Sequence, residues 1–377
     1  MNGFGQNRKE EKKTEERIKI VERIFFGILF LSCLFFAHLD GHTLRAAELR
    51  KVKLATLAGT QQPIFFVAQE KGFLAEEGIE VDVENITSGG SMVIEVMAAG
   101  QVDLGVSAPG ELMLAIEKGV PVKLVGAFEY QFIDKQGRSW DGAVLVCEDS
   151  DSYKKLEDLR GKKIAVVDVG SVYNYYLRYQ LKKRGMDPDK DVNILPIPFT
   201  QMQSALVKKQ VDAAFMLPPI YAMAKKDIPF KILMEGTKIS ELTIDLSAGI
   251  GVNDKFAKKN PDLIVKFIKG LIRSEQFIVK DIKETNGEYV KNVVQKRMKY
   301  KPEFLEAWYT YRGSYGREWD YVNPIQVPRS MIPRLSEIFV AERLLKNPIT
   351  SEKVIDDSYI KKAYAELGMQ WDETKGR

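Results

Sequence analysis

Hydroxyl and glycine residues stand immediately before several helices that the sequence predicts. Ser88–Ser91 (Ser-Gly-Gly-Ser) precedes one amphipathic segment, and Ser171 precedes another. Glycine lets the backbone come close to a ligand, and the first turn of a helix points unpaired N–H groups at the same place. Because these loops contain no lysine or arginine, a bound anion would be held by helix N-termini and hydroxyl groups. The alternative is that the serines simply cap their helices, and one side chain can do both.

The residues predicted to bind a ligand follow the ends of predicted strands. In open α/β sheets, ligands sit beyond the carboxyl ends of the strands. The predicted set is Gln61, Gln62, Ser88, Gly89, Gly90, Ser91, Ser107, Ala108, Pro109, Ser171, Val172, Tyr173, Met216 and Pro218.

Histidine and cysteine, which carry much nucleophilic and metal chemistry, are nearly absent. His38, His42 and Cys33 lie in the first 42 residues. If that segment is removed, Cys147 is the one thiol and no histidine remains. This excludes Ser-His-Asp and Cys-His catalysis, histidine-ligated metals and an intrachain disulfide. The sequence therefore predicts no catalytic residue, no metal and no cofactor.

Aromatic and acidic residues flank the same loops. Tyr173, Tyr130 and Trp140 could supply an apolar wall, which an organic ligand would use and nitrate would not. Glu111 and Asp168 also stand beside the site. Such acidic residues are ordinarily solvated. If these two face inward instead, they favour a ligand with a donor group, such as an amine or an amino-pyrimidine.

Two short stretches repeat one pattern and organise the chain. Gln101–Pro109 and Gln210–Pro218 each read as a turn, a short buried strand and a proline that opens a helix. A further strand follows each of them, at residues 120–124 and 228–232. Two units of this kind predict two α/β lobes built alike. We expect the two strand ends to face one another across a cleft.

Length and charge limit the classes of function. A chain of 377 residues is long enough for two domains of ordinary size. Its net charge is only +4, which gives no electrostatic case for nucleic acid as a partner. The aromatic, arginine-rich segment 311–317 is therefore not interpreted as an RNA-binding segment.

The first 47 residues are predicted to be an export signal. A mixed-charge run at residues 8–23 precedes a mainly apolar stretch at residues 24–39. A spanning helix needs about 20 residues, whereas the core of a signal peptide is shorter. Cleavage is expected within Thr43–Ala47, and an uncleaved membrane anchor is the alternative. Both interpretations place the body of the protein outside the cytoplasm, in the periplasm.

The order of motifs in the body resembles a known group of proteins. The motifs are Glu70–Val81 (Glu-Lys-Gly-Phe-Leu-x-x-Glu-Gly-Ile-x-Val), Ser88–Ser91 and Ala99–Val106 (Ala-Gly-Gln-Val-Asp-Leu-Gly-Val). In this order they resemble the periplasmic solute-binding proteins of nitrate, sulfonate and taurine uptake, a group that includes thiamine-pyrimidine binders. The resemblance runs from about Val52 to Gly251 and continues more weakly to about Gly368. It is specific to the group and not to the ligand.

The resemblance implies an α/β, two-lobed periplasmic-binding-protein fold of type II, with the ligand cleft between the lobes. The first lobe would comprise residues 48–148 and 246–377, and the second lobe residues 149–245. The helical C-terminal tail would pack on the first lobe. The crossings near residues 148–151 and 239–246 would form the hinge.

Two further expectations concern the end of the first lobe. Residues 122–127 and 142–146 are predicted to be strands that close this lobe. The aromatic segment 130–140 between them is predicted to be an inserted loop.

The function that the resemblance implies is that of an extracytoplasmic substrate-binding protein of an ABC importer. Such a monomer would capture a sulfonate-, nitrate- or taurine-like anionic or organic solute by lobe closure and deliver it to a permease with its ATPase. One alternative is an enzyme on the same fold. Fungal pyrimidine synthases resemble the group, but they need a histidine and a cysteine-rich motif that the body lacks. Dehydratase-like relatives need fewer special residues but are usually cytoplasmic. The other alternative is a sensory binding protein that reports to a membrane receptor.

Overall fold

A computed structural model gives the fold of the body of the chain. The residues that it describes all belong to the compact unit Leu49–Arg377. They are residues 49–57, 63–86, 89–137, 139–140, 143–216, 221, 229–299, 316 and 318–376. The predicted export signal and four predicted site residues lie outside the described residues. These four are Gln61, Gln62, Ser88 and Pro218.

Short strands alternate with helices through most of the chain. The strands are β1 Arg50–Leu57, β2 Ile79–Ile86, β3 Leu104–Ser107, β4 Val122–Ile133, β5 Ser139–Trp140, β6 Val144–Glu148, β7 Lys163–Val166, β8 Asn193–Pro196, β9 Ala213–Met216, β10 Phe230–Glu235 and β11 Ile244–Asn253. The helices are α1 Pro63–Glu70, α2 Phe73–Glu76, α3 Gly90–Ala98, α4 Pro109–Glu117, α5 Val172–Lys183, α6 Phe199–Val207, α7 Gly236–Ser240, α8 Asp254–Lys259, α9 Pro261–Thr285, α10 Glu288–Met298, α11 Met331–Ala341, α12 Ser351–Val354 and α13 Ser358–Glu366.

The strands form two sheets with matching topology. The first has the order β2-β1-β3-β11-β4-β5, and the second has the order β8-β7-β9-β6-β10. In each sheet the first three strands are parallel and the fourth is antiparallel to the third. The repeated sequence pattern supplies β3 and β9, which occupy the same third position. Carboxyl ends of parallel strands share one edge of a sheet, so this topology collects the following loops there.

The fourth strand of each sheet is formed where the chain passes from one sheet to the other. β6 runs antiparallel to β9 and pairs Val144 with Met216, so the expectation that residues 142–146 close the first lobe is wrong. β11 makes the return crossing and pairs with β3 and β4. An apolar run such as Val144–Cys147 is equally suited to either sheet, so local pattern could not choose between them.

The prediction that residues 130–140 form an inserted loop is also largely wrong. β4 continues to Ile133 and pairs with β11 almost along its whole length, as far as Phe132 opposite Ile244. Aromatic and β-branched side chains favour extended structure, and this is the physical reason that residues 130–133 continue the strand.

The C-terminal tail is helical, as predicted, and it contacts helices of both sheets. α9 buries an apolar stripe that includes Ile264, Phe267, Ile268 and Leu271. It packs on α1 and α2, beside the first sheet. α11, in contrast, also packs on α5 of the second sheet. The implied packing of the tail on the first lobe alone is therefore incomplete. Among the described residues, no helix has the length and apolarity of a membrane span.

Candidate functional site

Three helices begin at one edge of the two sheets and surround the candidate site. α3 follows Gly89, whose φ of 107° is a conformation that side-chain-bearing residues rarely adopt. α4 starts at Pro109 directly after β3. α5 is capped by Ser171, whose Oγ accepts a hydrogen bond from the N–H of Asn174 at 3.3 Å. The strand ends thus place three helix N-termini close together.

Glu111 lies inside the site rather than in solvent. Its side chain is only 6% exposed, and its Oε2 accepts a hydrogen bond from the N–H of Ala108 at 3.1 Å. A Cβ atom built on Gly90 would lie 1.8 Å from the same oxygen, so only glycine leaves room for this carboxyl. Burial, and then the charge of Asp168, raise the pKa of Glu111 well above its ordinary value.

Asp168 faces the same place from the second sheet, after the end of β7. Its Oδ1 accepts a hydrogen bond from the N–H of Gly170 at 2.5 Å. A Cβ on Gly89 would lie 2.3 Å from its Oδ2, so the two sheets' loops touch here. Burial raises the pKa of Asp168, against the lowering effect of nearby backbone N–H groups. The expectation that these two acidic residues are solvated is thus wrong for Glu111 and only partly right for Asp168.

These carboxyl groups change the electrostatics that the sequence predicted. The partial positive charge of a helix N-terminus attracts anions. Here the protein places its own acidic groups against the starts of α3, α4 and α5. An incoming anion would therefore meet two carboxyl groups as well as the N–H groups.

A small cavity of about 30 Å³ lies between the two sheets. Space of this size holds one or two waters. Its lining residues come from both sheets and from the helix starts, and they are Leu57, Gly90, Ala108, Glu111, Val167, Ser171, Val172, Tyr173, Phe199 and Ser247.

A larger open groove of about 540 Å³ adjoins the cavity, and Glu111 lines both spaces. The groove runs between α3, α4 and the loop 168–170. Across it, a Cβ on Gly170 would lie 2.8 Å from Oγ of Ser91. Small residues on both sides therefore let the two walls of the cleft approach closely in this structure.

A buried polar network supports the wall of the cavity. The hydroxyl of Tyr173 donates to Gln131 Oε1 at 3.2 Å, and Gln131 Nε2 donates to Asp245 Oδ2 at 3.1 Å. The hydroxyl of Tyr176 donates to the same Asp245 oxygen at 2.6 Å. Burial raises the pKa of Asp245 to about 6. The network links α5 to β4 and β11, so it fixes Tyr173 relative to the first sheet.

The NMT1/THI5-like family model matches residues 60–285, which is more than half of the chain. The chain belongs to this family.

Curated relatives of the chain include binding proteins and enzymes. A Brucella abortus protein whose name calls it a binding protein is 26% identical over 64% of this chain and 69% of its own length. YtlA of Bacillus subtilis, also named as a binding protein, is 23% identical over 81% of this chain and 91% of its own. THI11 of Saccharomyces cerevisiae is named as a 4-amino-5-hydroxymethyl-2-methylpyrimidine phosphate synthase. It is 26% identical over 60% of this chain and 65% of its own.

Solved structures share the fold. The alkanesulfonate-binding protein SsuA of Xanthomonas axonopodis pv. citri, bound to MOPS, matches with a TM-score of 0.63 and 17% identity, over 82% of this chain and 99% of its own. The periplasmic nitrate-binding protein NrtA of Synechocystis PCC 6803 matches with a TM-score of 0.65 and 15% identity, over 85% and 89%. These likenesses confirm the predicted periplasmic-binding-protein fold.

The structure brings part of the predicted residue set to the cavity. Gly90, Ala108, Ser171, Val172 and Tyr173 line it. Ser91 lines the adjoining groove, and Gly89 touches Asp168.

Other predicted residues lie away from the cavity wall. Ser107 and Pro109 are buried beneath the site, and Met216 packs in the apolar core of the second sheet. The hydroxyl of Tyr130 donates to the carbonyl of Gln326 at 2.8 Å, so this tyrosine braces the tail. The side chain of Trp140 lies outside the described residues.

Sequence reasoning missed several lining residues. Leu57 is the last residue of β1, and Val167 and Phe199 follow the ends of β7 and β8. These positions at strand ends are a signal that could have found all three. Ser247 is different, because it lies within the crossing strand β11 and only the sheet order brings it to the cavity. Among the described residues, no group of histidine, cysteine and acidic side chains is placed to hold a metal ion.

Proposed function

We propose that the protein is the extracytoplasmic substrate-binding component of an ABC importer. It captures a small solute between two lobes and presents the closed form to a permease that works with an ATPase. The observation that carries this proposal is the cavity lined by strand ends and helix starts of both sheets. Membership of the family and the shared fold support it.

Capture requires the cleft to open. A cavity of about 30 Å³ does not admit even a small organic solute, so the closed form must alternate with an open one. The two-lobed division is part of the proposal, with one change from the boundaries that the resemblance implied. Because β6 is a strand of the second sheet, we place the first boundary near residue 143 and not 148. The hinge lies in the crossings at about residues 143 and 239–246.

The solute is a small organic molecule in this proposal. Sulfonate, nitrate and taurine were the anions that the family resemblance implied. The inward-facing Glu111 and Asp168 disfavour a simple inorganic anion, while Tyr173, Val172 and Phe199 supply an apolar wall.

A same-fold enzyme is the second candidate function. The specific observation in its favour is Glu111, because a buried carboxyl group with a raised pKa can act as a general acid. One curated relative is named as a synthase. The body of the chain lacks histidine, which removes the commonest general base but leaves carboxyl chemistry open.

A thermal-shift screen of residues 48–377 tests the two functions against each other. The panel contains alkane- and arylsulfonates, nitrate, taurine, aromatic carboxylates, amines and amino-pyrimidines. A solute at a hundred times its Kd should stabilise the protein by about 2.7 kcal/mol. Recovery of the bound solute unchanged supports the binding protein, and conversion to a product supports the enzyme. A panel without any stabilising solute contradicts both.

Cell fractionation tests the proposed location. We expect the full chain, expressed in a bacterium with two membranes, to be released with the periplasmic fraction, and the chain without residues 1–47 to stay in the cytoplasm as a soluble monomer. Full-length protein retained in the cytoplasmic fraction would contradict the export proposal, and retention in the membrane would favour the uncleaved anchor.

A further inference from the structure

The cleft presents buried acidic groups that lack a basic partner among the described residues that line it. Glu111 is almost fully buried and lines both the cavity and the groove. Oδ2 of Asp168 is buried without a well-formed hydrogen bond to the described residues. These two carboxyl groups come from opposite sheets. A buried, unpaired charge is costly, and proteins normally pair such groups or use them.

The other charged residues of the groove do not offset this pair. Lys118 is the one basic residue among the described residues lining the groove. It is exposed and lies seven positions after Glu111, just beyond the end of α4, which is about 10 Å along the helix axis. Glu95 on α3 adds a further acidic group. The electrostatic potential of the site therefore favours a cation.

Two hydroxyl groups of the cavity wall already donate their protons inside the protein. The hydroxyl of Ser247 donates to Glu129 Oε2 at 2.7 Å. The hydroxyl of Tyr173 donates to Gln131. Both donors are thus already used inside the protein, so these hydroxyls can accept a hydrogen bond from a ligand but cannot readily donate one.

The adjoining groove has an apolar wall. Ile94, Ala98, Leu114, Ala115 and Val120 line it. Its volume of about 540 Å³ lies in the range of pockets that hold organic ligands, roughly 300–1,000 Å³. A small inorganic ion would leave this wall exposed to water.

On the basis of the proposed function, we infer that the solute carries a protonated amine or amidine group, which Glu111 and Asp168 bind together, and an apolar body that lies in the groove. Each lobe supplies one carboxylate, so the cation joins the two lobes and favours the closed form. An anionic solute would add a negative charge beside these acidic groups.

Matched probes test this inference. Titration calorimetry of residues 48–377 would compare benzylamine and benzamidine with benzenesulfonate, benzoate and the neutral benzyl alcohol. These probes share one ring and differ in the charged head. We expect the two cations to bind at least tenfold more tightly than either anion, with the neutral alcohol in between.

Two variants and a control test whether Glu111 and Asp168 are the residues that bind the cation. Glu111→Gln and Asp168→Asn should each weaken cation binding at least tenfold, because each keeps the shape of the side chain and removes its charge. In Glu111→Gln the new amide oxygen can still accept from the Ala108 N–H, so the start of α4 should remain capped. Glu117→Gln, at an exposed position on the same helix, should leave binding unchanged.

Proton release on binding distinguishes a ligand-binding role of Glu111 from a purely structural one. Burial and the charge of Asp168 raise the pKa of Glu111, and a cation bound beside this carboxyl group should lower that pKa again. Titrations at pH 7 in two buffers of different ionisation enthalpy should therefore show proton release with an amine. Asp168, Glu95 and Lys118 also face the groove and remain in the Glu111→Gln variant. The proton release should nevertheless disappear in this variant.

The outcomes separate the inference from the proposed function. Tighter binding of the anions, or proton uptake on binding, would overturn the inference and leave the binding protein in place. Failure of every amine in this set and in the thermal-shift panel would also overturn it. If no solute of any class binds, the proposed function fails with it.

Discussion

At the scale of single residues, the site depends on a few positions where only a small side chain fits. Gly89 and Gly90 lie against Asp168 and Glu111, at distances where a Cβ atom would clash. From the sequence alone, the same glycines were interpreted as part of a loop that could bind an anion. Side-chain type alone could not reveal that carboxyl groups fill the space that these glycines leave.

Ser171 both caps α5 and lines the cavity, so its removal should have two separable effects. We expect Ser171→Ala to lower the free energy of unfolding by about 1 kcal/mol, as the loss of a helix cap does, and to weaken solute binding. Ser171→Asn keeps a capping side chain and should restore stability without restoring affinity. Urea unfolding and a titration of the bound solute measure the two effects. Unchanged binding in both variants would make Ser171 a cap alone.

Glu275 and Glu318 form a buried carboxyl pair in the C-terminal part of the chain. Burial raises the pKa of both groups above the ordinary value of 4.5, and the charge of Glu275 raises that of Glu318 further. Trp319 Nε1 donates to Glu275 Oε1 at 3.1 Å. The folded protein therefore binds more protons here than the unfolded chain, and stability should fall as the pH rises above about 4.5.

Glu318→Gln should remove this penalty. At pH 8 we expect the variant to unfold with a free energy at least about 1 kcal/mol higher than the natural chain, since one unit of pKa elevation corresponds to about 1.4 kcal/mol. The gain should become small at pH 4, where the pair is mostly protonated in both the folded and the unfolded state. Glu80→Gln, an exposed position on β2, is the control. A gain that is equal at both pH values would contradict the explanation by raised pKa values.

At the scale of elements, helix α11 contacts both α4 and α5, the two helices that begin at the site. The ring of Phe339 contacts that of Tyr175 on α5, with centroids 4.8 Å apart. It also lies against Gly110 on α4. Next to this contact, Arg178 Nε pairs with Glu342 at 2.8 Å. α11 therefore holds together the two helices whose first turns carry Glu111 and Ser171.

Phe339→Leu should consequently affect binding as well as stability. We expect a loss of roughly 1–2 kcal/mol in the free energy of unfolding, somewhat less than for trimming a buried aromatic side chain to alanine, together with weaker solute binding. Phe267→Leu provides the matched control, because Phe267 is equally buried but belongs to the core between α9 and the first sheet. It should lose stability and keep affinity. Equal affinity in the two variants would refute the bridging role of α11.

The elements also show how far the sequence could predict the structure. Hydrophobic periodicity and the repeated motif identified β3 and β9, which hold matching places in the two sheets. The same local signals could not place β6, because an apolar strand pairs equally well in either sheet. They also could not place Ser247 or α11 at the site, since both positions depend on contacts between segments far apart in the chain.

The lining of the candidate cavity was predictable where its residues follow the ends of strands. Gly90, Ala108, Ser171, Val172 and Tyr173 were found in this way. The inward orientation of Glu111 could not be predicted, because a glutamate in the first turn of a helix is usually solvated and only the fold shows the void above Gly90.

At the scale of the whole molecule, the proposal requires the cleft to open before a solute can enter. The closed cleft offers a direct way to test this requirement. A Cβ on Gly170 would lie 2.8 Å from Oγ of Ser91, which is close to the roughly 3 Å between the Cβ of one cysteine and the Sγ of the other in a disulfide. Ser91→Cys combined with Gly170→Cys should therefore form a disulfide across the cleft. Cys147 is buried, so it should not compete.

We expect the oxidised double variant to bind no added solute within the time of a titration, because the locked cleft blocks entry. Reduction should restore binding to within a few-fold of the natural chain. Ser91→Cys alone controls for the loss of the hydroxyl and should respond to neither oxidation nor reduction. If the oxidised protein binds solute as fast as the reduced protein, entry does not require separation of these loops. Capture by lobe closure would then be wrong, even if the protein binds a solute.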